Sequence, residues 1–416
     1  MDVVYTLEKF SSAQKIAKMN TTANATLNMT IQNCSNEMCI SDEDYLDVIE
    51  SHVFPKPWEW TLVGLYFITF VIGLSGNSLV CFAVWRNKTM RTVTNIFIVN
   101  LAVADLTVII FCLTPTLIVD ISETWFLGYV MCKLVLFINT VSISVSVLTL
   151  SAISVERWYA ICYPLVFKST KKRAKIIVSA IWLFSVAVAV PDLVVAKLHP
   201  YFSPEFTILL TSCKPGWSDE SQTIYQMVLL IVLYIVPMVL MGFTYSHIAM
   251  VLWKGNIPGA VETARKPMMN SKMNKADEQL ESRKKAAKML ITIVVIFAVS
   301  YFPVHLLNIF RYTGVLIHLP TNFVLVMALV SHGLPYFNSS INPVIYNFMS
   351  AKFRKEFRMA ISCGMLQQKR RIRGRGQPTM SIYSNSTTQH YVGRNYSQTE
   401  QITLSNFHDK SETDAW

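Results

Sequence analysis

The sequence predicts an all-α integral membrane protein: a bundle of seven transmembrane helices followed by a short amphipathic eighth helix. Three observations predict it. The 416 residues are 52% hydrophobic and only 15% charged, whereas soluble domains carry about 25% charged residues. The apolar residues gather into seven runs, near 61–85, 95–119, 131–155, 176–197, 224–252, 287–311 and 321–348. Each matches the roughly 20 helical residues that a hydrocarbon core requires. Finally, the charge is segregated: the connections after runs one, three and five, with the tail from Ser350, hold +19, and the other side holds −7. Asp105, inside a run, completes the net +11.

Lys and Arg are enriched in cytoplasmic loops. The chain is therefore expected to be a multi-pass protein of the plasma membrane, N-terminus outside and C-terminus inside. Basic stretches so placed set topology, and no nucleic-acid partner is expected. Four regions follow: an extracellular, glycosylated 1–60, the bundle over 61–348, the amphipathic helix over 349–363 and a disordered cytoplasmic tail over 364–416.

The leading region offers four N-glycosylation sequons, at Asn20, Asn24, Asn28 and Asn33. Met1–Gln14 lacks the apolar core of a cleavable signal, so the first span is expected to act as its own insertion signal. Cys34 and Cys39 can close a small local loop. The sequons at Asn87, Asn338, Asn385 and Asn395 fall inside the membrane or cytosol and are expected to stay bare. Cys81, Cys112 and Cys162 read as small buried hydrophobes, and Cys363, after the amphipathic stretch, as a palmitoylation candidate.

Polar groups inside the spans carry the next signal, because a central Asp costs about 2.5–3.5 kcal/mol on insertion scales. Asp105, Asn77, Ser146, Asn338, Ser339 and Asn342 can line an oxygen-rich pocket for water or an allosteric sodium ion. They can equally serve as interhelical hydrogen bonds. Pro115, Pro191, Pro237, Pro303 and Pro343 remove backbone donors and bend helices, which suits both a transporter's broken helices and a receptor's hinges. No metal-ligand spacing, nucleotide-binding glycine loop or nucleophile–base pair is visible, so the chain is not read as an enzyme and no cofactor is expected beyond that sodium.

The motifs decide between those alternatives. In order, one per span, stand Gly76-Asn77, Asn100-Leu-Ala-Val-Ala-Asp105, Glu156-Arg157-Trp158, Trp182, Pro237 with Tyr245, Phe297-Ala-Val-Ser-Tyr301-Phe-Pro303 and Asn342-Pro343-Val-Ile-Tyr346, then Phe353 and Phe357. The set resembles the rhodopsin-like (class A) G-protein-coupled receptors over roughly residues 55–362. Within them, Val84-Trp85-Arg86-Asn87, Met90 to Asn95, Val119-Asp-Ile-Ser-Glu-Thr-Trp125, Arg157 to Cys162, Pro164 to Thr170, Cys213 with Trp217, and Ile257-Pro-Gly259 resemble the orexin and allatotropin receptors. Neuropeptide FF (RFamide) and neuropeptide Y receptors share fewer of these stretches and supply the alternative ligand class. A transporter or channel is the distant alternative.

The resemblance implies a receptor for an extracellular neuropeptide of orexin/allatotropin type that activates a heterotrimeric G-protein, by the phospholipase C and calcium route, with receptor kinases, arrestin and membrane lipids as further partners. It implies a Cys132–Cys213 disulfide, both cysteines falling on the outer side. Glu156, Arg157, Tyr245, Pro303, Asn342, Pro343 and Tyr346 are the implied activation and coupling residues. The implied ligand pocket is Asn139, Asn308, His332, Thr116, Asp120, Trp125, Ile143, Tyr225, Tyr301, Arg311 and Tyr336. Asn139 stands where amine receptors carry an aspartate, and Tyr336 where opsins carry the retinal lysine, so neither ligand is expected. Lys214 stands where the orexin group has an acid. Asp42–Val53, with Tyr45, Leu46, Ile49 and Val53 on one helical face, reads as an acidic leader or, by the resemblance, as an outer helix that captures peptide. Ser384, Ser386, Thr387 and Thr388 are candidate phosphorylation sites, and Lys369–Arg375 a lipid contact.

Overall fold

The computed structural model describes residues 41–53, 57, 59–164, 169–202, 206–253, 270–360 and 362. The four leading sequons, Cys34, Cys39, Ile257-Pro-Gly259, Cys363 and the tail sites lie outside these residues. Among them, seven helices are long and apolar enough to cross a membrane. After α1 (Asp42–Val53) they are α2 (Glu59–Arg86), α3 (Val93–Ser122), α4 (Gly128–Cys162), α5 (Lys171–Val195), α6 (Asp219–Leu252), α7 (Asn270–Tyr312) and α8 (Thr321–Met349). A short α9 covers 351–360. Strands β1 (Ala196–His199) and β2 (Ser212–Pro215) form an antiparallel pair between α5 and α6.

The helix starts follow from local chemistry. Thr92, Thr170 and Ser218 stand just before α3, α5 and α6, and each side chain accepts a hydrogen bond from the backbone three residues on. Such caps satisfy donors that a helix leaves open at its start. Asp219 and Glu220 in the first turn of α6 add favourable charge there. The far end of α5 is closed by Lys133, whose Nζ donates to the carbonyls of Leu193 and Val194 at 2.8 and 2.9 Å. Helix α7 begins well before the apolar run at 287, because the preceding Lys-, Glu- and Ala-rich stretch favours helix without being apolar.

Burial orders the bundle. Over the most apolar part of each span, α3 is 61% and α4 56% buried, against 22% for α5 and α6, so α3 and α4 are central. The outward faces carry Phe67, Leu183, Val239, Phe243, Val299 and Phe302, each more than half exposed. These apolar faces suit lipid as solvent.

Prolines shape the spans as their chemistry requires. Pro115 and Pro237 lack an N–H and their rings crowd the carbonyl four residues earlier. In both spans the chain answers with a widened π turn just upstream, Ile109–Leu113 and Ile231–Ile235. In α8, Pro343 leaves the Ser339 carbonyl without its helical donor. Asn77 Nδ2 on α2 donates to that oxygen at 3.0 Å. Two glycines let α2 approach this point. A Cβ on Gly76 would stand 2.8 and 2.9 Å from two ring carbons of Pro343, and one on Gly73 would stand 2.5 Å from Ser340 Oγ. Gly76→Ala is therefore expected to push α2 off the rigid ring and cost about 1–3 kcal/mol, read as a lower melting temperature of the purified protein.

At the hairpin end, Cys132 at the start of α4 is bridged to Cys213 in β2, with Cα atoms 5.6 Å apart. Trp125 binds the same loop system: its backbone N–H donates to the Thr211 carbonyl and its Nε1 to the Gly128 carbonyl, both at 2.8 Å. Ser41 caps α1, its Oγ accepting from the Asp44 N–H at 3.2 Å. Tyr45, Ile49 and Val53 bury one face of α1 against Tyr201, Phe202, Phe206, Leu209 and Leu210. Thus α1 forms with the apolar face its spacing predicts, Leu46 being half-buried beside it.

Candidate ligand cavity, polar core and coupling face

Two adjoining cavities open at the hairpin end. The larger, about 950 Å³, lies among α4, α5, α6, α7 and the hairpin, and is lined by Asn139, Ile143, Tyr301, Asn308 and Arg311 among others. The smaller, about 290 Å³, reaches toward α3 and α8 and is lined by Thr116, Asp120, Trp125, His332 and Tyr336. Asn139, Ile143 and Tyr301 line both, so the two share a wall. Ten of the eleven residues expected at a ligand pocket thus meet there.

Tyr225 does not line either cavity. Its hydroxyl donates to Asp192 Oδ2 and also lies 3.1 Å from the Val188 carbonyl, and its ring packs on Trp217. It stands behind the wall and holds Asp192, which Thr140 Oγ1 also reaches at 2.6 Å. Asp192 is buried and lines the larger cavity. No motif in the sequence singles it out, and the one available signal is an acid directly after Pro191 near the end of an apolar run.

In the smaller cavity Asp120 is the hub. Its carboxylate accepts from His332 Nδ1 at 2.7 Å and from the Tyr66 hydroxyl at 2.9 Å, joining α3, α8 and α2. Thr116 Oγ1 and the Tyr336 hydroxyl lie 2.6 Å apart. In the larger cavity Asn308 Nδ2 meets Gln226 Oε1 at 3.5 Å. Hydrogen-bonding side chains on apolar walls are what orient a ligand.

Deeper, Asn342 Nδ2 donates to Asp105 Oδ2 at 2.9 Å, while Asn77 bridges to the Ser339 carbonyl. Asp105 Oδ1, Asn77 Oδ1, Asn338 Oδ1 and Asn342 Oδ1 are buried without a hydrogen-bond donor. Orphaned buried acceptors are costly, at about 1–3 kcal/mol each, so this oxygen set fits a hard cation such as sodium or ordered water. Ser339, on α8, and Ser146, on the neighbouring α4, are buried as well.

The opposite end is basic. Arg157 is paired with Glu156 at 2.6 Å and also bonds Thr94 Oγ1, and Ser169 Oγ donates to Glu156 at 3.0 Å. Trp158 Nε1 donates to His247 Nδ1 at 2.9 Å, linking α4 to α6. Tyr245 and Tyr346 are buried, and Tyr346 stacks on Phe353 of α9. Asn87 Nδ2 donates to Glu356 Oε1 at 2.8 Å, tying α9 to the end of α2.

The family model described as "7 transmembrane receptor (rhodopsin family)" matches residues 76–346. The chain belongs to this family. The receptor is also 36% identical, over 307 residues, to a "QRFP-like peptide receptor" of Branchiostoma floridae, a match covering 73% of this chain and 77% of the relative. It is accordingly a multi-pass membrane receptor and not an enzyme. The similarity does not single out the orexin and allatotropin group, which the loop motifs resemble.

Proposed function

We propose that the receptor binds an extracellular peptide ending in Arg-Phe-amide or a close variant and transmits binding to a heterotrimeric G-protein. The observation that carries this is the larger cavity, where Asn139, Asn308 and Gln226 offer amide donors and acceptors beside the buried carboxylate of Asp192. A terminal amide calls for paired amides, and an arginine side chain for a carboxylate. The relative in Branchiostoma floridae, named for its QRFP-like peptide, supports the same class. The orexin/allatotropin type is the second reading, favoured by the Val119–Trp125 and Arg157–Cys162 stretches.

On this reading the hairpin end faces outward at the plasma membrane and the basic end faces the cytosol. Peptide shifts an existing equilibrium between inactive and active packings. Arg157 leaves Glu156 and Thr94 to meet the G-protein, with Tyr245 and Tyr346 moving inward beside it and Pro303 and Pro343 as hinges. A sodium ion held by Asp105, Asn77 and Asn342 would supply a positive charge to the buried carboxylate and so favour the inactive packing. Receptor kinases, arrestin and inner-leaflet lipids complete the proposed partners.

The test is calcium release in cells expressing the full chain, challenged with RFamide, orexin-like and allatotropin-like amidated peptides. A response to the RFamide set, weakened about tenfold or more by Asn308→Ala, is expected. A response only to orexin-like or allatotropin-like peptides would replace the first reading with the second.

A further inference from the structure

Resting on the peptide-receptor reading, we infer that the face of the β1–β2 hairpin bearing Lys197, His199 and Lys214 is a subsite for an acidic side chain of the peptide, an aspartate or glutamate upstream of its amidated end. Lys197 lies directly across from Lys214, and His199 across from Ser212. Residues opposite one another and two apart along a strand share a face, so two lysines and a histidine stand together. Like charges directly opposite destabilise a strand pair, and this pair therefore retains a cost that a bound anion would relieve.

The surroundings do not neutralise it. Lys214 is half-buried, and among the described residues neither lysine is bonded to a carboxylate. His199, Ser212 and Lys214 line the larger cavity, and His199 Nε2 is buried there without a hydrogen-bond partner. The Lys197 stem lies over Gly216, where a Cβ would meet it at 2.7 Å, so this lysine is held along the hairpin. Burial, and then the charges of Lys214 and Lys197, hold His199 below its ordinary range. The other charged or titratable groups on this cavity are Asp192 on α5, Asp219 on α6, and Tyr301, His305, Arg311 and Tyr312 on α7. Asp192 is engaged by Thr140 and Tyr225, and Asp219 sits in the exposed first turn of α6.

A carboxylate seated here would raise His199 toward its ordinary range. Binding would then take up a proton, and affinity for an acidic peptide would rise as the pH falls from 8 to 6.

The experiment measures binding of fluorescent nonapeptides ending in Arg-Phe-amide to membranes carrying the full-length receptor. The peptides are identical except for Glu, Gln or Lys at one upstream position, which is moved along the peptide. At one position the Glu peptide is expected to bind about five- to tenfold tighter than the Gln peptide, with the margin shrinking at high salt. Lys214→Gln should erase the margin and Lys214→Glu reverse it toward the Lys peptide. The exposed Lys197→Gln, a variant with little to disturb in folding, should reduce it. Equal binding of Glu and Gln peptides at every position, or a margin unchanged by Lys214→Glu, overturns the subsite while leaving the peptide reading intact. Failure of every peptide to bind the unaltered receptor overturns the Arg-Phe-amide reading and the subsite with it.

Discussion

His332→Ala is expected to cost about 3 kcal/mol of stability and to leave the receptor poorly responsive. Asp120 has a side chain only 1% exposed and shares it with two partners, His332 and Tyr66. Removing one partner strands a carboxylate in a medium that solvates it badly, and breaking a buried pair in this way costs about 3–5 kcal/mol. His332 is 28% exposed, which places the effect at the lower end. The sharper test is the double variant Asp120→Ala/His332→Ala. With both partners gone, no group is left unpaired except the Tyr66 hydroxyl, so the double variant should melt above His332→Ala. Thermal unfolding of the purified receptor reads this directly. A double variant that melts at the sum of the two single losses would show that the pair is not an energetic unit.

Asp192→Asn should lower the potency of Arg-Phe-amide peptides about a hundredfold, with surface expression little changed. Truncating the charge of a desolvated pair costs about 2–5 kcal/mol, and asparagine still offers an oxygen to the Thr140 and Tyr225 hydroxyls. Tyr225→Phe removes one of those donors but keeps the carboxylate, so its loss should be several-fold only. Equal losses in the two variants would mean that Asp192 serves packing between α4, α5 and α6 and does not meet the ligand.

Much of this was legible in the residues, and for identifiable reasons. Spans announce themselves because lipid tolerates no unpaired backbone, so each must be one continuous apolar helix. Their ends were less visible. The caps Thr92, Thr170 and Ser218 are polar residues outside the apolar runs, and the Asn270–Tyr312 helix continues through charged sequence that no membrane criterion marks. The π turns before Pro115 and Pro237 carry no signature of their own, since their residues are as apolar as the rest of the span. At the cavity, positions such as Asn139 and His332 were found by resemblance to a shared architecture. Asp192 was not, because its place depends on hydroxyls from two other helices. The hairpin cations were equally hidden: Lys197 and Lys214 are neighbours only through strand register, and nothing in either segment alone fixes that register.

The hydrogen bond between Trp158 and His247 has a direction built into it. An indole N–H can only give a proton, so His247 Nδ1 must receive it, and the imidazole must carry its own proton on Nε2. A tyrosine hydroxyl in its place, being both donor and acceptor, could serve either tautomer. The tryptophan accepts no such exchange. One residue away from Arg157, the clasp between α4 and α6 therefore rests on a single tautomer of one imidazole.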